Sequence, residues 1–230
     1  MSAIAANLQA VRARIAQAAR AAGRSPDSVT LLAVSKTKPL DDVLAAVAAG
    51  QLAFGENYVQ EGVEKVLATA VDRRLDWHFI GPLQSNKTRA VAEHFSWVHS
   101  VDRRKIAERL SEQRPAGLPP LNVCVQVNVS GEASKSGCRP DEAQALCQAV
   151  ADLPGLRLRG LMAIPEPVDD PVLQRLPFRR LRELADQIRA AGLPLDTLSI
   201  GMTHDLEAAI AEGATIVRVG TAIFGERDYT

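Results

Sequence analysis

The chain has 230 residues, 47% of them hydrophobic and 23% charged, and its 27 acidic residues balance its 27 lysines and arginines. This composition predicts a globular protein with enough length for a sizeable core. The zero formal net charge argues against a protein that binds nucleic acid, because such proteins carry a basic excess. No apolar run approaches the roughly 20 residues of a membrane span, so we expect no membrane partner.

The N-terminal segment lacks the basic start and apolar run of a signal peptide, so we expect a cytoplasmic protein. The cysteines are odd in number and lack the spacing of metal ligands, so no metal site is predicted. They are Cys124, Cys138 and Cys147. Cys124 lies in an apolar, strand-like run and is interpreted as a small buried hydrophobic residue.

Residues 2–22 are rich in alanine and place Leu8, Val11 and Ile15 on one stripe, which predicts an amphipathic helix ended by Gly23. Strand-like and helix-like segments then alternate. Strands are predicted at 29–36, 52–56, 76–81, 97–101, 122–129, 157–163, 196–200 and 215–219. Helices are predicted at 40–49, 58–70, 86–94, 103–113, 140–151, 172–191 and 204–212.

The alternation of strands with helices predicts an α/β fold in which parallel strands pair through right-handed crossovers. Eight such units in about 200 residues match the count and size of a compact (β/α)8 barrel of the TIM type. We therefore predict a single barrel domain over residues 1–230, with an extra N-terminal helix. An open doubly wound sheet is the alternative, but it would use fewer strands, and no G-x-G-x-x-G follows the first strand.

Lys36 ends the first predicted strand, with Leu32 and Val34 on the same face. A lysine at this end of a barrel strand can act as a Schiff-base nucleophile, because apolar surroundings depress the pKa of an amine. By itself the stretch is more typical of an ordinary lysine that leaves a strand for water. The residues after the last two strands favour the Schiff-base interpretation of Lys36.

The segment after the seventh predicted strand runs from small residues directly into a helix start, with Thr203 as a plausible N-cap. Amide groups at a helix N-terminus would suit a phosphate. A plain capped turn is the alternative and by itself fits slightly better, because Asp205 and Glu207 already complement the helix dipole.

The segment after the eighth predicted strand contains Gly220, which permits close backbone approach, and Thr221, which adds a hydroxyl. Arg218 interrupts the apolar strand, and a charge there should be paired or face a polar cavity. Barrel closure would bring Lys36 near Arg218 and Gly220. An amine, a cation and phosphate donors at one rim suit pyridoxal 5′-phosphate (PLP), with its ring nitrogen facing Arg218 and its phosphate on the loops 199–203 and 220–221.

Several long segments of this sequence resemble those of the pyridoxal phosphate homeostasis protein family. They lie at 33–39, 54–61, 77–87, 160–165 and 217–225. The resemblance implies a barrel similar to the N-terminal domain of alanine racemase (PLP fold type III), with PLP held as a Schiff base on Lys36. It also implies that Asn57 lines the pocket and that Arg218 faces the ring nitrogen. The residues that would hold the phosphate are Ser199, Thr203, Gly220 and Thr221; the family commonly has serine where Thr203 stands.

Other polar residues fit more than one role on sequence alone. His78 fits a pocket or a core position equally well, while His94 and His99 have poor spacing for a metal. Glu56 fits a structural salt bridge. Lys135 stands in a polar loop after the fifth strand, which we interpret as a mobile loop at the rim; a role for Lys135 as a second, transient aldehyde acceptor is the alternative.

The sequence favours a coenzyme carrier over an enzyme. An arginine at the ring nitrogen disfavours its protonation and so weakens the electron sink that carbanion chemistry needs. Racemisation also needs a second acid or base, which alanine racemase takes from a partner's tyrosine, and this chain has only Tyr58 and Tyr229. We expect a non-catalytic monomer that buffers PLP and delivers it through transient contacts to apo-enzymes. The alternative is a PLP-dependent amino-acid racemase or related enzyme of low activity.

Overall fold

The computed structural model describes residues 2–131 and 136–226, to which all structural statements refer. Its strands form a closed barrel in chain order, and every pair of neighbours is parallel. They are β1 (Thr30–Val34), β2 (Ala53–Glu56), β3 (Asp76–Phe79), β4 (Trp97–Val101), β5 (Leu121–Gln126), β6 (Leu156–Met162), β7 (Thr197–Ser199) and β8 (Ile216–Val219). β8 closes the barrel on β1, where Leu32 pairs with Arg218. The predicted barrel fold is confirmed.

Helices surround the barrel at the predicted places. They are α1 (Ala3–Ala21), α2 (Leu40–Ala48), α3 (Val59–Ala68), α4 (Thr88–His94), α5 (Arg104–Gln113), α6 (Ala143–Ala151), α7 (Pro171–Ala190), α8 (Leu206–Ala211) and α9 (Thr221–Phe224). The one-turn helix α9 was not predicted, because four residues are too few to show a helical period. In the described part of the chain, no helix has the length and apolar character needed to cross a membrane.

The extra helix α1 supports the end of the barrel that carries the loops after β7 and β8. Its stripe of Leu8, Val11 and Ile15 is buried, as predicted. On the same helix, Asn7 donates to the carbonyl of Ile223 at 2.9 Å. A third contact comes from Arg14, whose side chain donates to the carbonyl of Thr203 at 3.1 Å. The helix therefore positions two of the loops expected to bind phosphate.

The core has two parts, because strand side chains alternate between the barrel interior and the helices. The larger apolar cluster lies between the strands and the helices and includes Phe54 and Phe79. A smaller cluster fills the barrel interior. It contains Leu32, Ile80, Trp97, Cys124, Met162 and Ile216. Cys124 is fully buried there, which agrees with its interpretation as a small hydrophobic residue.

Polar side chains share the barrel interior with this smaller cluster. His78, His99, Ser199 and Arg218 are all buried, with at most 4% of each residue exposed. Each stands on the inward face of its strand, two residues from another inward-facing position. The sequence analysis left His78 open between pocket and core, and the structure places it in this interior.

Candidate functional site

A cavity of about 210 Å³, here called the rim cavity, opens at the C-terminal ends of the strands. All the predicted site residues except Ser199 line it: Lys36, Asn57, Thr203, Arg218, Gly220 and Thr221. They come from the ends of β1, β2, β7 and β8, which are far apart in sequence and meet only because the barrel closes. Active sites of such barrels lie at this face.

Lys36 stands two residues beyond the end of β1, because the strand stops at Val34 and not at Lys36 as predicted. The next residue, Thr37, has a left-handed backbone with φ of 65°, which is uncommon for a β-branched residue. The amide of Thr37 donates to Glu61 Oε1 at 2.6 Å. This contact with α3 fixes the turn that directs Lys36 into the rim cavity.

A buried ion cluster supports the same turn. Lys65, only 6% exposed, donates to the carbonyl of Ser35 at 2.7 Å, to Glu56 at 2.8 Å and to Glu61 at 2.6 Å. The hydroxyl of Ser35 donates to Glu56 at 2.6 Å. Burial raises the pKa of Glu56, while Lys65 and Ser35 pull it down. We call Ser35, Glu56, Glu61 and Lys65 the Lys65 cluster. Lys65 was missed from the sequence, because an i, i+4 pair on a helix is usually a surface feature.

Arg218 is a buried cation that points along the barrel interior to the rim cavity. Its guanidinium donates to the carbonyl and the hydroxyl of Ser199 and, at 3.0 Å, to the carbonyl of Ala163. None of the ion pairs between described residues includes Arg218. Burial lowers its pKa to about 10, still well above neutral, so the side chain stays charged.

Ser199 lies one layer below the rim cavity, fully buried at the end of β7. Its hydroxyl is hydrogen-bonded to Arg218 Nη1 at 2.7 Å and to His99 Nδ1 at 2.7 Å. Both contacts belong to the barrel interior. Its predicted contact with a phosphate stays a prediction, and the structure shows a different use for the hydroxyl.

The loops after β7 and β8 supply the other predicted phosphate contacts. At Gly220 an added Cβ would lie 3.0 Å from the carbonyl oxygen of Val34, so a larger residue would crowd the junction with β1. Thr221 begins α9, whose first amide groups have no carbonyl within the helix to bond. Thr203 lines the cavity but is not the N-cap of α8 as predicted. Asp205 holds that position and accepts from the amide of Met202 at 2.6 Å.

Asn57 follows β2 and presents its side chain to the rim cavity. Its Oδ1 is buried and has no hydrogen-bond partner in the described structure. A buried polar atom without a partner is costly, and a bound molecule would satisfy it. Lys38 and His204 also line the same cavity, His204 as an exposed residue. The predicted role of Lys135 falls outside the described residues.

Comparison with known proteins agrees with this geometry. The alanine racemase N-terminal domain family matches residues 6–228. The pyridoxal phosphate homeostasis protein of Pseudomonas aeruginosa is 66% identical over 100% of this chain and 98% of its own length. That of Escherichia coli K12 is 56% identical over 100% and 99%. The structure of PipY from Synechococcus elongatus PCC7942 with PLP bound is 36% identical, with a TM-score of 0.84, and covers 96% of this chain and 100% of PipY. The chain belongs to the pyridoxal phosphate homeostasis protein family.

Proposed function

We propose that this protein binds PLP in the rim cavity, with the aldehyde on Lys36, and that it buffers and delivers the coenzyme in the cytoplasm. The observation that carries the proposal is the meeting of Lys36, Arg218 and Thr221 at one cavity. Family membership supports it, since a relative of 36% identity has been solved with PLP bound. Transient contact of a monomer with apo-enzymes that need PLP is part of this proposal.

The residues present fit the coenzyme. Bound PLP supplies an aldehyde that condenses with an amine and a pyridine ring that withdraws electrons. Lys36 provides the amine at the rim, and Arg218, which can only donate hydrogen bonds, suits an unprotonated ring nitrogen. Asn57 has an unpartnered buried oxygen for a polar group of the ring. Gly220 and Thr221, which both line the rim cavity, would hold the phosphate.

Two features support a carrier over an enzyme. The charged guanidinium of Arg218 opposes protonation of the ring nitrogen, because two positive charges in contact repel. Tyr58, which could supply a second acid or base, is 55% exposed and does not line the rim cavity. Tyr229 lies outside the described residues.

A racemase or related enzyme of low activity is the second candidate. The observation that favours it is the presence of Lys38 and His204 in the same cavity as Lys36, since both side chains exchange protons. Lys38 also donates to the carbonyl of Glu226 at 2.7 Å, so its amine already has a partner.

The position of the aldehyde is tested by borohydride reduction of the PLP-loaded protein followed by peptide mapping. We expect the label on Lys36, and loss of the visible absorption band in Lys36→Ala with an unchanged circular dichroism spectrum. Lys38→Ala is the matched control, because it removes a neighbouring amine from the same cavity. Label on Lys38, with Lys36 unlabelled, would contradict the proposal.

The choice between carrier and enzyme is tested with the same loaded protein. We expect it to reactivate an apo-enzyme in the presence of a trap for free PLP, and to leave the α-hydrogens of a panel of amino acids unexchanged. Saturable racemisation, decarboxylation or transamination that Lys36→Ala abolishes would establish the enzyme instead.

A further inference from the structure

A row of polar side chains crosses the barrel interior from the rim cavity to the opposite face, and the proposed function uses only its first member. Arg218 Nη1 lies 2.7 Å from Ser199 Oγ, which lies 2.7 Å from His99 Nδ1. His99 Nε2 lies 2.8 Å from His78 Nδ1. His78 Nε2 in turn lies 3.0 Å from Asp76 Oδ2, although it is not aligned there for a hydrogen bond. We call these five residues the interior relay.

The direction of these hydrogen bonds follows from what each group can donate. Arg218 can only donate, so Ser199 Oγ accepts from it. The hydroxyl hydrogen of Ser199 then needs an acceptor, and within the described part of the chain only His99 Nδ1 is placed to provide one. If His99 Nδ1 instead carried a proton, that hydroxyl hydrogen would be buried without a partner, which is costly.

The same argument sets both imidazole tautomers. With Nδ1 as an acceptor, neutral His99 carries its proton on Nε2 and donates it to His78 Nδ1. His78 then carries its proton on Nε2, the nitrogen that faces Asp76. Stacking of the His78 ring on Trp97, with centroids 5.1 Å apart and planes 6° apart, fixes the orientation of that ring. The relay therefore starts at a cation, runs in one direction and ends beside a carboxylate.

The charges at the two ends make this direction favourable. Arg218 has no ion-pair partner among the described residues, so its charge is stabilised by neutral hydrogen-bond acceptors together with the more distant carboxylate of Asp205. Asp76 is the first residue of β3, at the N-terminal face of the barrel, and also accepts from the hydroxyl of Ser96. Burial raises the pKa of Asp76, but His78 and Ser96 lower it by more than burial raises it. The net effect is a lowered pKa, so the carboxylate is ionised. Burial is the main cause that lowers the pKa of His99 well below its ordinary value.

We propose that His99 and His78 are positioning residues for coenzyme binding: they hold Ser199 as a hydrogen-bond acceptor for Arg218, which fixes the guanidinium in the orientation that faces the ring nitrogen of PLP. The inference rests on the proposed function, because it assumes that the ring nitrogen meets Arg218. It goes further in assigning a ligand-binding role to two buried histidines that do not line the rim cavity.

The tautomers are tested on the protein without coenzyme, so this arm is independent of PLP binding. Nuclear magnetic resonance of protein labelled with ¹⁵N-histidine reports which ring nitrogen carries the proton. We expect His78 and His99 both to carry it on Nε2 at neutral pH, with His94→Asn and His204→Asn used to assign the signals. A proton on Nδ1 of His99, or a charged ring at that position, would overturn the direction of the relay and with it the proposal.

The role toward the ring nitrogen is tested with two probes, PLP and an analogue that has C–H in place of the ring nitrogen. His99→Leu removes the acceptor for Ser199, so we expect it to weaken PLP by about tenfold or more and to leave the analogue nearly unchanged. His99→Asn, whose carboxamide oxygen takes the place of Nδ1, should recover most of the PLP affinity.

Equal weakening of both probes by His99→Leu would overturn the positioning role, because it would show a general loss of structure. If His99→Leu does not fold, His78→Leu makes the same comparison one step further along the relay, and equal weakening there has the same meaning. Failure of the unsubstituted protein to bind either probe would instead overturn the proposed function, and the positioning role with it.

Discussion

At the scale of single residues, the proposed phosphate end of the rim cavity depends on side chains small enough for close approach. Thr221 offers one hydroxyl beside the first amides of α9. We expect Thr221→Val to weaken PLP by about 10- to 100-fold, the loss of one hydrogen bond to a charged group, and to leave unphosphorylated pyridoxal unaffected. Thr30→Val, an exposed change at the other end of the barrel, is the control. Equal losses for the two ligands would show that Thr221 supports the fold of the site and does not bind the phosphate.

His99 also gives the protein a pH dependence of stability that can be measured without a ligand. Burial lowers its pKa well below the 6.5 of an unperturbed histidine, so below pH 6.5 the unfolded chain binds a proton that the folded protein does not. Stability should therefore fall on acidification, with a slope that approaches about 1.4 kcal/mol per pH unit until the folded-state pKa is reached. Urea unfolding of the natural chain and His99→Asn at several pH values measures the difference.

His99→Asn should lack this pH-dependent loss of stability, while His94→Asn, a change at the last residue of α4, should keep it. Parallel curves for the natural chain and His99→Asn would show that folding does not lower the pKa of His99.

At the scale of elements, the turn after β1 is held by α3 through the Lys65 cluster. Lys65 is buried with Glu56, so Lys65→Met would leave a buried carboxylate without its cation. Removing one partner of a buried pair costs about 3–5 kcal/mol. We expect that loss in urea unfolding, together with slower borohydride labelling of Lys36, because the turn that carries Lys36 loses its support. Lys105→Met, a surface change on α5, is the control.

The double variant Lys65→Met with Glu56→Gln separates charge from packing in this cluster. Neutralising Glu56 removes the unpaired charge, so part of the lost stability should return. If Glu56→Gln lowers the stability of the Lys65→Met variant as much as it lowers that of the natural chain, the pair contributes through its shape and not through its charge.

At the scale of the whole molecule, closure of the barrel requires the backbones of neighbouring strands to approach closely. Gly160 pairs with Thr197 across β6 and β7, and an added Cβ would lie 1.7 Å from the carbonyl oxygen of Thr197. We expect Gly160→Ala to destabilise the barrel by about 3 kcal/mol or more, because backbone cannot move aside as a side chain can. Gly117→Ala, with no atom within 4 Å of the added Cβ, is the matched control, and similar melting temperatures for the two variants would contradict the expectation.

The sequence by itself determined the order and number of the strands, because each strand is a short, apolar-rich run bounded by breakers, and both features depend only on local chemistry. It also predicted which residues would meet at the rim. Lys36, Arg218, Gly220 and Thr221 stand at or just after strand ends, and strand ends share a rim in any parallel barrel. Helix boundaries were less exact: α6 begins at Ala143 and not near residue 140.

Only the tertiary structure decided which buried polar groups pair with one another. His99 and Ser199 are 100 residues apart, and whether their side chains meet depends on how four strands are staggered around the barrel. The same holds for Lys65, whose contact with Ser35 bridges 30 residues. Local sequence patterns report which face a residue occupies, whereas a hydrogen bond across the interior requires distances near 2.8 Å that only the closed barrel sets.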